Sequence, residues 1–286
     1  MNTFTLSLLA LLPALLLCWY IYAKDRQEKE PWWLLAVLFG AGLVIFIPSA
    51  IAQHYATKLV DIAFAPFITY TLTGVANFSS EGAFAAHAAV VALAVTATVE
   101  LLKWLALYFI TYKSKHFGHL FDGLVYAVFV SLGFAAAENI WFALTNGWDT
   151  LLLRSVTTVP AHMTCGVLMG FCYTLWRTYR SAAAREKQLA QSGRIRIGKP
   201  FRSAVWLAAS IVVPFLLSAF RHFAGSYGND LVSTLYYIVL VAFYVVAFLS
   251  IRRLSKADDK HIEIVHRIVA RKYPALSEAS AAPDKQ

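Results

Sequence analysis

Residues 121–145 read FDGLVYAVFVSLGFAAAENIWFALT. After Asp122 no charged side chain occurs until Glu138, which is followed directly by Asn139. As an α-helix this run is about 37 Å long, more than the ~30 Å hydrocarbon core of a bilayer. It lacks the period-two alternation of a strand, so it reads as a membrane-spanning helix with an acid and an amide buried in it.

Six further segments have the length and apolarity to span: about 3–23, 33–52, 85–111, 154–176, 203–224 and 231–251. The composition agrees. Of 286 residues, 59% are hydrophobic and only 14% charged, against about 25% charged in soluble domains. The expected fold is therefore all-α, a polytopic membrane protein of about seven helices in one bundle over residues 1–253. Residues 254–286 form a polar tail, with Ile262, Ile264, Val265, Ile268 and Val269 suiting a short surface helix and Glu278 to Gln286 expected to be disordered. The first segment lacks a basic leader and a small-residue cleavage site, so it reads as a retained helix. Cys18, Cys165 and Cys172 all lie in apolar runs and suggest no disulfide framework.

The net charge of +9 does not indicate nucleic acid, because the basic residues cluster between apolar runs. Lys and Arg number three in 24–32, two in 112–120, eight in 177–202 and eight in 252–286, which is 21 of 25 on alternate loops. The positive-inside rule then predicts an amino terminus outside and a carboxyl terminus in the cytoplasm. The basic loops, with His116 and His119 among them, are expected to meet lipid headgroups, while His54 and His87 are expected in solvent on the outer side.

Ionisable side chains within spans cost roughly 2.5–3.5 kcal/mol each on the insertion scale, which makes them functional candidates. The third span carries Glu100 and Lys103, placed for an i,i+3 ion pair. The fourth carries Asp122, Glu138 and Asn139, the fifth His162, the sixth Arg221 and His222. His162 shares a face with Gly166 and Gly170, a small-residue stripe that admits a close neighbour. Counted from the outer ends, Glu138 and His162 both lie about 10–12 Å deep, and Glu100 lies near mid-span. These groups are expected to converge in the outer half or middle of the bilayer, whereas Asp122 lies at the cytoplasmic entrance.

These residues resemble the PrsW-type intramembrane proteases, distantly related to the CAAX prenyl protease and bacteriocin-processing group. Tyr22-Ala23-Lys24-Asp25-Arg26 with Lys29-Glu30-Pro31 is similar to the family's basic-acidic loop. Phe121 to Tyr126, followed by Gly133 to Asn139, is similar to its most specific signature, and Arg154 to His162 with Gly166 and Gly170 to its histidine helix. The departure is Val99-Glu100-Leu101-Leu102-Lys103, where the family usually has two adjacent glutamates before the lysine. Phe220-Arg221-His222-Phe223 matches the final histidine motif only if Ser226 serves as its polar partner.

The resemblance implies an intramembrane endopeptidase of the bacterial cytoplasmic membrane. Its substrate would be a membrane-anchored protein, such as an anti-sigma factor, cut near the extracytoplasmic boundary. The implied catalytic set is Glu100 as base, Glu138 assisting, His162 orienting water or protonating the leaving amine, and Asn139 with His222 as oxyanion donors. Lys103 and Asp122 would support it. No cofactor is expected. Zinc held by His162, His222 and Glu100 or Glu138 is the alternative, although no His-Glu-x-x-His element is present, and Ser131 lacks the Gly-x-Ser-x-Gly elbow of a serine nucleophile. The rival functions are a proton-coupled transporter or channel, a haem protein with His162 and His222 as axial ligands, and an inactive homologue that binds membrane proteins, as Val99 would allow.

Overall fold

The structure, a computed structural model, describes residues 2–25, 28–70, 76–228, 230–256 and 258–274. The long helices are α1 (Thr3–Lys24), α2 (Trp32–Phe64), α3 (Glu81–Thr111), α4 (Asp122–Asn146), α6 (Thr158–Gln191), α7 (Ser203–Tyr227) and α8 (Asp230–Lys256), with short α5 (Trp148–Val156) and α9 (His261–Lys272). Among the described residues six helices, α1 to α4, α7 and α8, are long and apolar enough to cross a membrane. The seventh expected span falls on α6, whose first half spends positions on Thr158, Pro160, His162, Thr164, Gly166 and Gly170 and so is less apolar than the rest. The chain is an all-α polytopic membrane protein.

Helix α4 is the centre of the bundle. Two thirds of its most apolar window is buried, against 22–39% in the other five, because α1, α2 and α6 pack around it. Small residues set how close they come. A Cβ on Gly133 would stand 2.1 Å from the Phe39 carbonyl oxygen of α2, and one on Gly42 would stand 2.2 Å from the Val130 carbonyl oxygen of α4. On the other side, a Cβ on Gly170 of α6 would stand 2.5 Å from the Gly123 carbonyl oxygen. The spacing of Gly123 and Gly133 thus serves two backbone-to-backbone seams. Leu8, Trp19, Val44, Ile51, Phe109 and Val245 point outward from the bundle, as a lipid-facing surface requires.

Several sequence expectations change in detail. Helix α2 runs on to Phe64 instead of ending near residue 52, carrying His54 on the helix rather than in a loop. The predicted 154–176 segment is broken at Thr157, so Arg154 belongs to α5 and His162 to α6. Gly147, at φ 83°, makes the preceding turn. A small antiparallel hairpin, β1 (Ile68–Tyr70) with β2 (Ala76–Phe78), joins α2 to α3. Beside it His87 is not free in solvent: it is 2.8 Å from Asp61 and packs on Phe64 and Phe78.

At the basic end the tail helix α9 docks on the extension of α6, with Val265 and Val269 packed against Ala182 and Leu189. Lys272 Nζ donates to Glu186 at 2.6 Å. The Phe121 amide donates to Asp258 at 2.9 Å and the His261 amide to the Gly118 carbonyl at 2.8 Å. His119 is buried in this contact rather than spread over headgroups. Asp25 and Glu30 are buried beside it, and loss of hydration pushes their carboxyls up to about 6 and about 7. The expected disorder of Glu278 to Gln286 lies outside the described residues.

Candidate active site

Glu100 and Lys103 lie one turn apart on α3, and Lys103 Nζ donates to Glu100 Oε1 at 2.6 Å. Ser218 of α7 donates to the same oxygen at 2.7 Å. Lys103 Nζ is 3.3 Å from His162 Nδ1 on α6, and His162 Nε2 is 3.1 Å from Glu138 Oε2 on α4. Arg154 of α5 closes the series, its Nη2 donating to Glu138 Oε2 at 2.5 Å. One polar chain, Ser218–Glu100–Lys103–His162–Glu138–Arg154, therefore ties five helices together.

The donor inventory fixes the histidine. An ammonium can only donate, so Nδ1 of His162 accepts from Lys103, and Nε2 carries the hydrogen that Glu138 accepts. The Glu100–Lys103 pair is wholly buried. Removing either partner would leave the other charge uncompensated, at roughly 3–5 kcal/mol. Phe134 lies against the middle of the chain, 5.6 Å from Lys103 Nζ and edge-on to His162 at 5.4 Å.

This chain forms the floor of a cavity of about 690 Å³, within the range of ligand sites. Glu100, Glu138, Arg154, His162, Ser218, Arg221 and His222 supply its polar wall, and Phe46, Val99, Trp141 and Phe142 its apolar one. Among the described residues Glu100 Oε2 and Arg154 Nε, both buried, have no hydrogen-bond partner. Arg154 also stacks on Phe142, 4.0 Å from the ring centre. The cavity wall thus brings together a buried carboxylate oxygen without a partner among the described residues and guanidinium and imidazole groups, the types of group needed to take a proton from water and to hold an oxyanion.

Of the sequence-predicted set, Glu100, Lys103, Glu138 and His162 come together, and His222 lines the same cavity. Asn139 does not. Its position, about 100° round α4 from Glu138, turns it to α1, where it is fully buried and donates to the Ala10 carbonyl at 2.9 Å. It is therefore not placed to act as the oxyanion donor expected from the sequence. Asp122 lies about 24 Å along α4 from Glu138 and accepts the Gly118 and His119 amides, both at 2.7 Å. It shapes the loop at the basic end and has no place in the cavity. Ser226 is engaged with its own helix, donating to the His222 carbonyl.

Sequence reasoning singled out Arg221 as a polar residue within a span but gave it no role, missed Ser218 and Arg154 as site residues, and left His54, which also lines the cavity, in a loop. Arg154 had a legible signal: a lone arginine in an otherwise base-poor outer region, two turns before the histidine. Ser218 had none, since a serine in an apolar helix is ordinary. Val99, the point of departure noted in the sequence, also lines the cavity.

A zinc site would need three converging ligands. Among the described residues no group of three His, Cys, Asp or Glu side chains is placed to hold a metal ion. Both ring nitrogens of His162 are taken, and the Lys103 ammonium stands between His162 and Glu100. The donor set as arranged does not fit the metal.

Comparison with known proteins places the chain in a family. Residues 30–249 match the family model described as PrsW family intramembrane metalloprotease. The chain is 32% identical to Protease PrsW of Geobacillus kaustophilus over 59% of its own length and 66% of that protein's. It is 31% identical to that of Oceanobacillus iheyensis over 62% and 72%, and 28% identical to that of Halalkalibacterium halodurans over 75% and 80%. No solved structure matches. The matched region contains every residue of the polar chain, and the chain belongs to the PrsW family of intramembrane proteases.

Proposed function

We propose that this protein is an endopeptidase that hydrolyses a membrane-anchored protein within the bilayer, using a water activated by Glu100 and no bound metal. The observation that carries the reading is that Glu100, whose buried Oε2 has no hydrogen-bond partner among the described residues, lines a cavity together with Glu138, His162 and Arg154.

In this mechanism Glu100 Oε2 takes a proton from water as the water oxygen attacks the scissile carbonyl carbon. The carbonyl oxygen becomes an oxyanion, held by Arg154 Nε–H and by His222. When the C–N bond breaks, Glu100 returns the proton to the leaving nitrogen. Lys103 and Ser218 fix the other Glu100 oxygen, so Oε2 has one orientation. His162 links that ammonium to Glu138, and Glu138 in turn orients Arg154. His162 is thus a positioning residue, since both its ring nitrogens are engaged by protein.

The basic loops at one end of the bundle support a cytoplasmic placement for that end. The cavity then opens toward the extracytoplasmic half, and a regulator such as an anti-sigma factor would be cut near that boundary. A substrate helix must unwind to expose a carbonyl otherwise hydrogen-bonded in lipid, so cuts are expected beside Gly, Pro or other small residues. The test is to reconstitute the protein in vesicles with single-span reporters and to map the new termini by mass spectrometry. Cuts in the extracytoplasmic half support the reading. Cuts at the cytoplasmic boundary, or none in any reporter, refute it.

A further inference from the structure

The cavity holds more positive charge than its own carboxylates match. Glu100 is paired with Lys103, and Glu138 with Arg154 and His162. Arg221 lines the same cavity, yet among the described residues it forms no hydrogen bond or ion pair. A guanidinium keeps its charge at any physiological pH and offers five donors in a rigid fork. Partly buried in a membrane-embedded bundle, an unmatched one is costly, and a carboxylate is its natural complement.

Its position narrows the occupant. Arg221 follows Ser218 by one turn on α7, about 4.5 Å along the axis, and the Ser218 hydroxyl is bonded to Glu100. The next turn brings Gly225 to the cavity wall, where even an added Cβ would meet nothing within 4 Å. An open trough therefore runs from Glu100 past Arg221 toward the end of the bundle away from the basic loops. A chain extended along it, at about 3.3 Å per residue, would put a side chain within two or three residues of the scissile bond against the guanidinium.

Resting on the proposed peptidase reading, we propose that Arg221 is a specificity-determining residue that binds a substrate carboxylate within about three residues of the cut, on the side away from the basic end. The carboxylate is an Asp or Glu side chain, or the terminal carboxylate of a substrate that ends there.

The test uses the full chain in zwitterionic vesicles and reporters that differ only by Asp, Asn or Lys at each such position, with one truncated to end there. Both binding of the reporter and kcat/KM for its cleavage are measured. The expected result is an Asp-over-Asn ratio of about tenfold or more at one position in the wild type. That ratio should collapse toward one in Arg221→Gln, be kept in Arg221→Lys, and reverse in favour of Lys in Arg221→Glu. If preference appears only with the truncated reporter, the carboxylate read is the chain terminus. Binding without any Asp-over-Asn preference, or a preference that survives in Arg221→Gln, overturns the inference even where Asn reporters are cut and the peptidase reading stands. Reporters that bind with the expected ratio but are never cut would refute the peptidase reading and leave the carboxylate site. An Arg221-dependent difference that follows anionic lipid content and not the reporter residue would assign the guanidinium to a phosphate headgroup and overturn the inference too.

Discussion

Replacing Gly133 by Ala adds one methyl group where the backbones of α2 and α4 meet. The new Cβ would stand 2.1 Å from the Phe39 carbonyl oxygen and 2.9 Å from its carbon, about 1.3 Å short of ordinary contact at 3.4 Å. No side chain can rotate to relieve this, because the obstructing atoms are backbone, so the helices must separate. Overpacking of this kind costs about 1–3 kcal/mol, and a backbone-on-backbone clash belongs at the upper end. Glu138 lies five residues further along α4, about 7.5 Å, and must keep its contacts with His162 and Arg154. A shift near 1 Å there should lower cleavage about 10²-fold. Gly40→Ala on α2 is the internal control, since nothing lies within 4 Å of its added Cβ. It should be neutral or gain up to about 1 kcal/mol in helix propensity. Unfolding midpoints in detergent and cleavage rates in vesicles read both effects. If Gly133→Ala unfolds and cleaves like Gly40→Ala, the seam does not hold the site and the reasoning fails.

Three further outcomes follow from the same structure. Arg154→Gln should keep the fold and lower kcat by about 10²–10³-fold, as loss of an oxyanion donor does; a change confined to KM would remove Arg154 from that role. The Glu30 carboxyl titrates near 7 in the fold, above its ordinary value of 4.5, so the folded state holds a proton that the unfolded chain has lost. Its stabilising contribution is present below about 4.5 and disappears as pH rises through about 7. Unfolding midpoints should therefore fall between pH 5 and 8, less steeply in Glu30→Gln; a midpoint that rises over that window contradicts the assignment. Exhaustive chelation followed by metal analysis should leave cleavage intact, whereas loss restored by one zinc per chain would reassign His162 and His222 as ligands.

Much of the bundle could be read from length and apolarity because a bilayer demands long, internally hydrogen-bonded helices. What that criterion cannot see is where a helix stops once it leaves the hydrocarbon, which is why α2 and α6 overran their expected ends and the paired strands Ile68–Tyr70 and Ala76–Phe78 went unnoticed. The polar residues Glu100, Lys103, Glu138 and His162 stood out because each is expensive in lipid and must be compensated. Asn139 obeyed the same logic yet faces elsewhere: its cost is met by the Ala10 carbonyl, and which face of a helix with neighbours on several sides meets which partner depends on what packs there. Asp122 shows the complementary limit, since its value lies in two loop amides that only the folded turn brings to it. Ser218 became a site residue through the packing of α7 on α3, a long-range contact with no local signature, whereas the charge of Arg221 within a span was legible and its role was not.

The most direct test of the account is the initial rate at which Glu100→Gln cuts a single-span reporter in vesicles, relative to the wild type. The substitution keeps side-chain shape and the Ser218 contact but removes the base and the counter-charge of Lys103, so the rate per folded molecule, with the folded fraction measured in parallel, should fall by about 10²–10⁴-fold. A rate within twofold of wild type would show that Glu100 does not activate the water and would contradict the mechanism.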